Sequence, residues 1–231
     1  MIQSSEINFE KLKQEQRKLA QNVVLRDEIT KLNLIAATDQ IVTEDNIISE
    51  IVVMDYKTFA VVEKKYTIKE VAMPYVPGFL AYRELPAILE TYNKLEHKPD
   101  LILVDGNGVL HPRTCGLASH LGVVLDIPTI GIAKGLLCGN VIGDTVYIDK
   151  EAVGKALETK EKAKPIYVSV GHKVTLTRAL EIIKYCMRNH KLPEPLHLAH
   201  KLAAKIKRRL QGEKGGKDSI NEFMEKYQSS R

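Results

Sequence analysis

The sequence lacks the features that mark secreted, membrane-spanning or disulfide-bonded proteins. Its 231 residues include only three cysteines, Cys115, Cys138 and Cys186, which are odd in number and widely spaced. They form neither a disulfide framework nor a CxxC metal pattern, so a reducing compartment is expected. No run approaches the roughly 18 apolar residues that span a bilayer, and the segment 1–18 lacks the apolar centre of a signal peptide. We therefore expect a cytoplasmic protein with no membrane partner.

Several motifs of well-known enzyme classes are also missing. Ser169 is not part of the GxSxG turn that a serine hydrolase requires. The loop 105–108 lacks both the GK[ST] ending of a phosphate-binding loop and the alternating oxygen ligands of a calcium loop. His197 and His200 lie three apart on one predicted helix, but no cysteine pair supports a zinc site there.

What the chain does have is an ordinary globular composition with a small surplus of positive charge. Hydrophobic residues make up 44% and charged residues 27%, which suits one large domain with a substantial core. The net charge of +5 is compatible with a polyanionic partner, and equally with a solvated surface that is rich in lysine. We expect a single catalytic domain over residues 1–210 and a polar tail over 211–231.

Hydrophobic periodicity divides that domain into strands and helices. Helices are predicted at 6–27, 80–96, 115–124, 176–189 and 195–210. Strands are predicted at 32–38, 48–55, 58–66, 101–104, 129–133 and 166–170, with a hairpin at 141–158. This order predicts an α/β fold with a mixed sheet, in which three antiparallel strands precede parallel ones. That is the ribonuclease H-like arrangement, which places the first and fourth strands side by side at the centre of the sheet.

Three acidic residues lie at the ends or edges of apolar runs. Asp39 and Asp105 follow predicted strands, and Glu84 lies in the first turns of a predicted helix. Each alone has a structural explanation, as a loop cap, a residue of an Asp-Gly turn or a first-turn helix acid. Buried charge is costly, however, unless a cation or a reaction needs it. Brought together by this strand order, the three carboxylates predict a Mg²⁺ site suited to phosphodiester cleavage.

Two further residues indicate a nucleic-acid substrate, each with a structural alternative. Lys134 follows the strand 129–133 at its C-terminal end, where it is either a phosphate contact or a solvated loop lysine. Tyr75 lies between two prolines in the stiff loop 73–79, where it either wedges into a base stack or packs on the core. The basic segment 205–209 is either a phosphate track or an ordinary helix end.

Several long stretches are also similar, in sequence and in their order along the chain, to one known family. They are PYVPGFLAYRE at 74–84, VDGNGVLHPR at 104–113, GLASH at 116–120, IPTIGIAK at 127–134, SVGH at 169–172 and LPEP at 192–195. Through them the chain, over about residues 8–205, resembles the endonuclease V family, the deoxyinosine 3′-endonucleases.

The resemblance implies a ribonuclease H-like nuclease that uses Mg²⁺, with Mn²⁺ able to substitute. Such an enzyme recognises hypoxanthine, the deaminated form of adenine, after it is flipped out of the strand. It hydrolyses the second phosphodiester on the 3′ side and leaves 3′-hydroxyl and 5′-phosphate ends. The implied partner is inosine-containing DNA or RNA, because the segment 107–110 resembles the branch that prefers RNA. We expect a monomer.

The resemblance also assigns roles to individual residues. The expected catalytic residues are Asp39, Glu84, Asp105, His200 and Lys134, of which the three carboxylates are the expected metal ligands. By the same resemblance, Tyr75 and His111 are expected to bind substrate. Backbone groups of Pro77, Gly78, Gly106 and Gly108 are also expected in the base pocket, because hypoxanthine differs from adenine at one edge by a donor and an acceptor. One departure is that the segment 40–42 has no aromatic residue where the family usually has one shortly after the aspartate.

Two rival functions share the predicted fold. One is a different nuclease, such as a ribonuclease H or a Holliday-junction enzyme, which would not require inosine. The other is a binding protein for damaged nucleic acid that does not cleave it. The intact set of three carboxylates favours an enzyme over the second rival.

Overall fold

The computed structural model describes residues 7–160 and 163–212, which form five helices and nine strands. The helices are α1 (Phe9–Ala20), α2 (Leu80–Asn93), α3 (Leu117–Leu125), α4 (Leu176–Cys186) and α5 (Glu194–Gly212). The strands are β1 (Leu34–Val42), β2 (Asn46–Asp55), β3 (Val61–Glu70), β4 (Leu101–Asp105), β5 (Thr129–Ala133), β6 (Asn140–Ile142), β7 (Thr145–Ile148), β8 (Glu151–Leu157) and β9 (Ile166–His172). Of the predicted tail, 211–212 belong to α5 and 213–231 lie outside the described residues.

The strands form one mixed sheet in the order β3-β2-β1-β4-β5-β9-β8-β7-β6. β1, β2 and β3 pair as an antiparallel meander, and β1, β4 and β5 run parallel. The predicted ribonuclease H-like α/β sheet is confirmed, with the first and fourth strands adjacent at its centre. The predicted hairpin-like stretch at 141–158 forms the antiparallel meander β6-β7-β8. It feeds directly into β9, which therefore runs antiparallel to β5.

Helices cover both faces of the central strands, which explains why these strands are apolar throughout. Every apolar residue of 101–104 is fully buried. On one face the core is closed by α4 and α5, and on the other by α2 and α3. Within the described residues, no helix is both long enough and apolar enough to cross a membrane.

Helix α1 ends at Ala20, whereas its periodicity predicted a helix that continues to 27. The apolar residues that extend the pattern are used elsewhere. The Val24 N–H donates to His172 Nδ1 at 3.2 Å, and the Val24 carbonyl accepts from Lys173 N at 2.7 Å. Because this backbone unit is bonded to the end of β9, the chain leaves the helix before it.

Gly108 lies where the loop after β4 touches β9, and this contact predicts a strict need for glycine. A Cβ there would stand 1.9 Å from the Val170 carbonyl oxygen. Gly108→Ala is therefore expected to lower the free energy of unfolding by about 3 kcal/mol, measured by urea denaturation. Gly135→Ala is the control, since its Cβ would meet nothing within 4 Å. Equal stability of the two variants would contradict the prediction.

Candidate active site

The three predicted carboxylates meet at one edge of the sheet. In the parallel pair β1–β4, Thr38 lies opposite Val104, so the next residues, Asp39 and Asp105, are neighbours. Glu84 reaches them from the second turn of α2. Asp39 and Glu84 are buried, at 3% and 8% exposure, which is unusual for ionisable groups without a functional reason.

The three groups repel one another electrostatically. Burial, together with the charges of Asp105 and Asp39, raises the pKa of Glu84 to about 8. Burial, together with the hydrogen bond and charge of Asp39, raises the pKa of Asp105 to about 7. Carboxylates that share a site resist simultaneous ionisation unless positive charge is supplied.

Two of the predicted basic side chains supply contacts to this cluster. The Lys134 ammonium, just after β5, donates a short hydrogen bond to Asp105 Oδ2. Burial alone would lower the pKa of Lys134, but Asp105, Asp39 and Glu84 raise it above its usual value. His200, on α5, donates from Nδ1 to Asp39 Oδ2 at 2.7 Å. Burial and the nearby Lys134 lower the pKa of His200.

The chemistry of the cluster suits a hard divalent cation. Carboxylate oxygens are the ligands that Mg²⁺ and Mn²⁺ prefer. A cation there would also offset the burial and mutual repulsion that raise the pKa values of Glu84 and Asp105. In the described part of the chain, no three histidine, cysteine, aspartate or glutamate side chains are already arranged to hold a metal ion. One oxygen each of Asp39 and Asp105 bonds to His200 or Lys134 instead.

A small cavity lies between the loop that joins β3 to α2 and the loop that follows β4. Its volume is about 60 Å³. Its polar and aromatic lining comprises Gln16, Tyr75, Asn107 and His111. Gly78, Gly116 and Leu137 are also among the residues of its wall. Tyr75 is 60% exposed, so it is free to contact a ligand rather than packed in the core.

Only some of the predicted substrate-binding residues line this cavity. Tyr75, Gly78 and His111 line the cavity, whereas Pro77, Gly106 and Gly108 do not. The α-carbon of Gly108 faces β9, and Ser169 Oγ accepts its N–H at 2.9 Å. Its glycine identity is thus explained by packing within the protein.

The cavity also includes residues that the sequence did not single out. Asn107 lies within the VDGNG motif, so the neighbouring residues of that motif could have indicated that it lines the site. Gln16 lies in a helix of lysine, glutamate and glutamine, where nothing local distinguishes it. Leu137 follows Lys134 in the loop after β5.

Comparison with known proteins assigns the family. The family model described as Endonuclease V matches residues 17–201. Endonuclease V of Dictyoglomus thermophilum is 39% identical over 202 residues, which cover 84% of this chain and 89% of that protein. The crystal structure of endonuclease V from Streptomyces avermitilis superposes with a TM-score of 0.81 at 32% identity, covering 91% of this chain and 98% of that one.

A third relative was crystallised with nucleic acid. Endonuclease V of Ciona intestinalis, in complex with a 24mer DNA containing an inosine followed by a ribo-adenosine, superposes with a TM-score of 0.79 at 28% identity. The match covers 87% of this chain and 98% of that one. With a family model over most of its length and relatives that align almost end to end, this chain belongs to the endonuclease V family, the deoxyinosine endonucleases, and is a hydrolase.

Proposed function

We propose that the protein is a Mg²⁺-dependent endonuclease for inosine-containing DNA and that it acts in DNA repair as a cytoplasmic monomer. It hydrolyses the second phosphodiester on the 3′ side of inosine and leaves 3′-hydroxyl and 5′-phosphate ends. The observation that carries the proposal is the convergence of Asp39, Glu84 and Asp105 on one another. The cavity lined by Tyr75 supports it, because its wall includes Ala81, three residues before Glu84, and Asn107, two residues after Asp105.

The carboxylates of Asp39, Asp105 and Glu84 would hold Mg²⁺, or Mn²⁺ in its place. When bound, such an ion polarises the scissile phosphate and promotes loss of a proton from the attacking water. His200 holds Asp39 through the 2.7 Å bond, and an imidazole beside the carboxylates can accept or donate a proton during hydrolysis. Lys134, whose ammonium contacts Asp105, would offset the negative charge that develops on the phosphate.

Selection of inosine over adenosine is supported by an unpaired acceptor in the cavity. In its assigned amide orientation, Asn107 Oδ1 is buried and has no hydrogen-bond partner within the described residues. Hypoxanthine presents an N1–H donor where adenine presents an acceptor, so such a group favours the deaminated base. Exposed Tyr75 is positioned to separate the strand and support the extruded base.

The second candidate function is an inosine-specific endoribonuclease that acts mainly on RNA. It is favoured by the segment 107–110, whose sequence resembles that of the RNA-preferring branch of the family. The carboxylate chemistry is the same for both substrates, because the attacked phosphodiester is common to DNA and RNA. The 2′-hydroxyl is the group that would distinguish them.

Cleavage of matched single-stranded oligonucleotides, one DNA and one RNA with a single inosine each, tests the proposal. We expect a cut one nucleotide beyond the inosine, which depends on Mg²⁺, is abolished by chelator and is absent from the adenosine controls. Mapping of the ends should give 3′-hydroxyl and 5′-phosphate. Faster cleavage of the RNA would transfer the assignment to the second candidate. A folded protein that cuts neither would refute both.

A further inference from the structure

Helix α1 buries a glutamine where an apolar residue would be expected. Gln16 is the one residue of α1 that is fully buried, at 1% exposure. A buried amide is costly unless its polar atoms are hydrogen-bonded. The hydrogen bonds of Gln16 therefore explain why a glutamine can be buried where α1 packs on the rest of the protein.

All polar atoms of the Gln16 side chain bond to two distant loops. Nε2 donates to the Gly78 carbonyl at 3.0 Å and to the Cys115 carbonyl at 3.4 Å. Oε1 accepts from Arg113 Nε at 2.5 Å. Two acceptors on one side and a donor on the other define the orientation of the amide. The side chain thereby joins the loop before α2 to the loop after β4.

The Gly78 carbonyl is the point at which these bonds converge. It accepts from Arg113 Nη2 at 2.6 Å as well as from Gln16. Arg113 N–H donates to His111 Nδ1, so the ring proton lies on Nε2, which donates to the same carbonyl at 3.0 Å. Burial and the Arg113 charge lower the pKa of His111 to about 4, consistent with a neutral donor.

The backbone at Gly78 adopts a conformation that residues with a side chain rarely tolerate. Gly78 has φ +81°, and a Cβ there would stand 2.9 Å from Arg113 Nη2. The Arg113 guanidinium also lies over the Phe79 ring at 4.6 Å. The peptide is thus held between helix α1 and the loop after β4, three residues after Tyr75.

We propose that Gln16 is a positioning residue for base recognition. By holding the Gly78 carbonyl and orienting Arg113, it keeps the loop 74–79 in the place where Tyr75 and the cavity wall meet the extruded base. Its own amide is fully used within the protein, so it acts through Gly78 and not by a bond to the base. The proposal rests on the proposed function of this cavity as the inosine site.

The test compares Gln16→Met with Gln14→Met on inosine DNA. Gln14 is exposed on the same helix, so it is a matched control for the substitution itself. Gln16→Met is expected to raise KM about tenfold, the effect of losing hydrogen bonds to a buried carbonyl, with kcat changed less than about twofold. Fluorescence of 2-aminopurine next to the inosine, recorded in chelator, should show less base unstacking with this variant. Gln14→Met should match the wild type in both measurements.

A second variant, Gln16→Glu, keeps the side-chain volume and the acceptor for Arg113 but loses the donor to Gly78. It is therefore also expected to raise KM and to weaken the fluorescence change, even if Gln16→Met does not fold. An unchanged KM in a folded variant would overturn the proposal, as would a fall in kcat at constant KM. Failure of the wild type to cut inosine DNA would instead refute the proposed function.

Discussion

Replacing Asp105 with alanine is expected to abolish cleavage of inosine-containing DNA while leaving affinity for that DNA unchanged or slightly higher. Asp105 lies beside Asp39 on the neighbouring strand and is the acceptor for Lys134. Its loss would remove a proposed metal ligand and the acceptor for Lys134, so the cleavage rate should fall by roughly 10³-fold or more. Binding should survive, because removal of one negative charge reduces repulsion of the phosphate.

Single-turnover cleavage in Mg²⁺ and equilibrium binding in chelator measure the two quantities separately. Asp45→Ala is the control, since Asp45 is exposed in the β1–β2 turn. Retained cleavage by the folded Asp105→Ala variant would remove Asp105 from the active site. If binding is lost together with cleavage, the role of Asp105 would be structural and not catalytic.

The carboxylate cluster was predictable because its signals are local. Each aspartate ends an apolar run whose length and composition predict a strand, and the order of those strands determines which of them are neighbours. Glu84 lies on a helix with a clear apolar face. The contact between the two aspartates did not have to be predicted separately, because the strand order makes β1 and β4 neighbours.

The parts that the sequence did not predict depend on partners far along the chain. The end of α1 is determined by His172 and Lys173, about 150 residues away, which no periodicity in 6–27 reveals. Gln16 bonds to residues 62 and 97–99 positions distant. In a helix of polar residues, a glutamine predicts a solvated surface. Only the tertiary structure shows that this one is buried.

Glu84→Gln is expected to abolish cleavage and, in metal-free protein, to increase stability at alkaline pH. The folded-state pKa of about 8 lies above the ordinary value of 4.5, because burial and the charges of Asp105 and Asp39 oppose ionisation. A raised carboxyl pKa means that the folded state binds its proton more tightly than the unfolded state. The contribution of Glu84 to stability is therefore full below about pH 4.5 and is lost as the pH rises towards 8.

Glutamine does not titrate, so the variant escapes this loss. Relative to wild type, its free energy of unfolding should rise by on the order of 3 kcal/mol between about pH 5 and pH 9 in chelator. Glu90→Gln, at a half-exposed position on the same helix, is the control: the hydrogen bond from Lys69 lowers the pKa of Glu90, so no gain at high pH is expected. Saturating Mg²⁺ should shrink the difference, because a bound cation favours the ionised carboxylate. A difference that stays constant with pH would mean that Glu84 is not repelled by its neighbours. A difference that Mg²⁺ leaves unchanged would mean that the charge at Glu84 does not hold the ion.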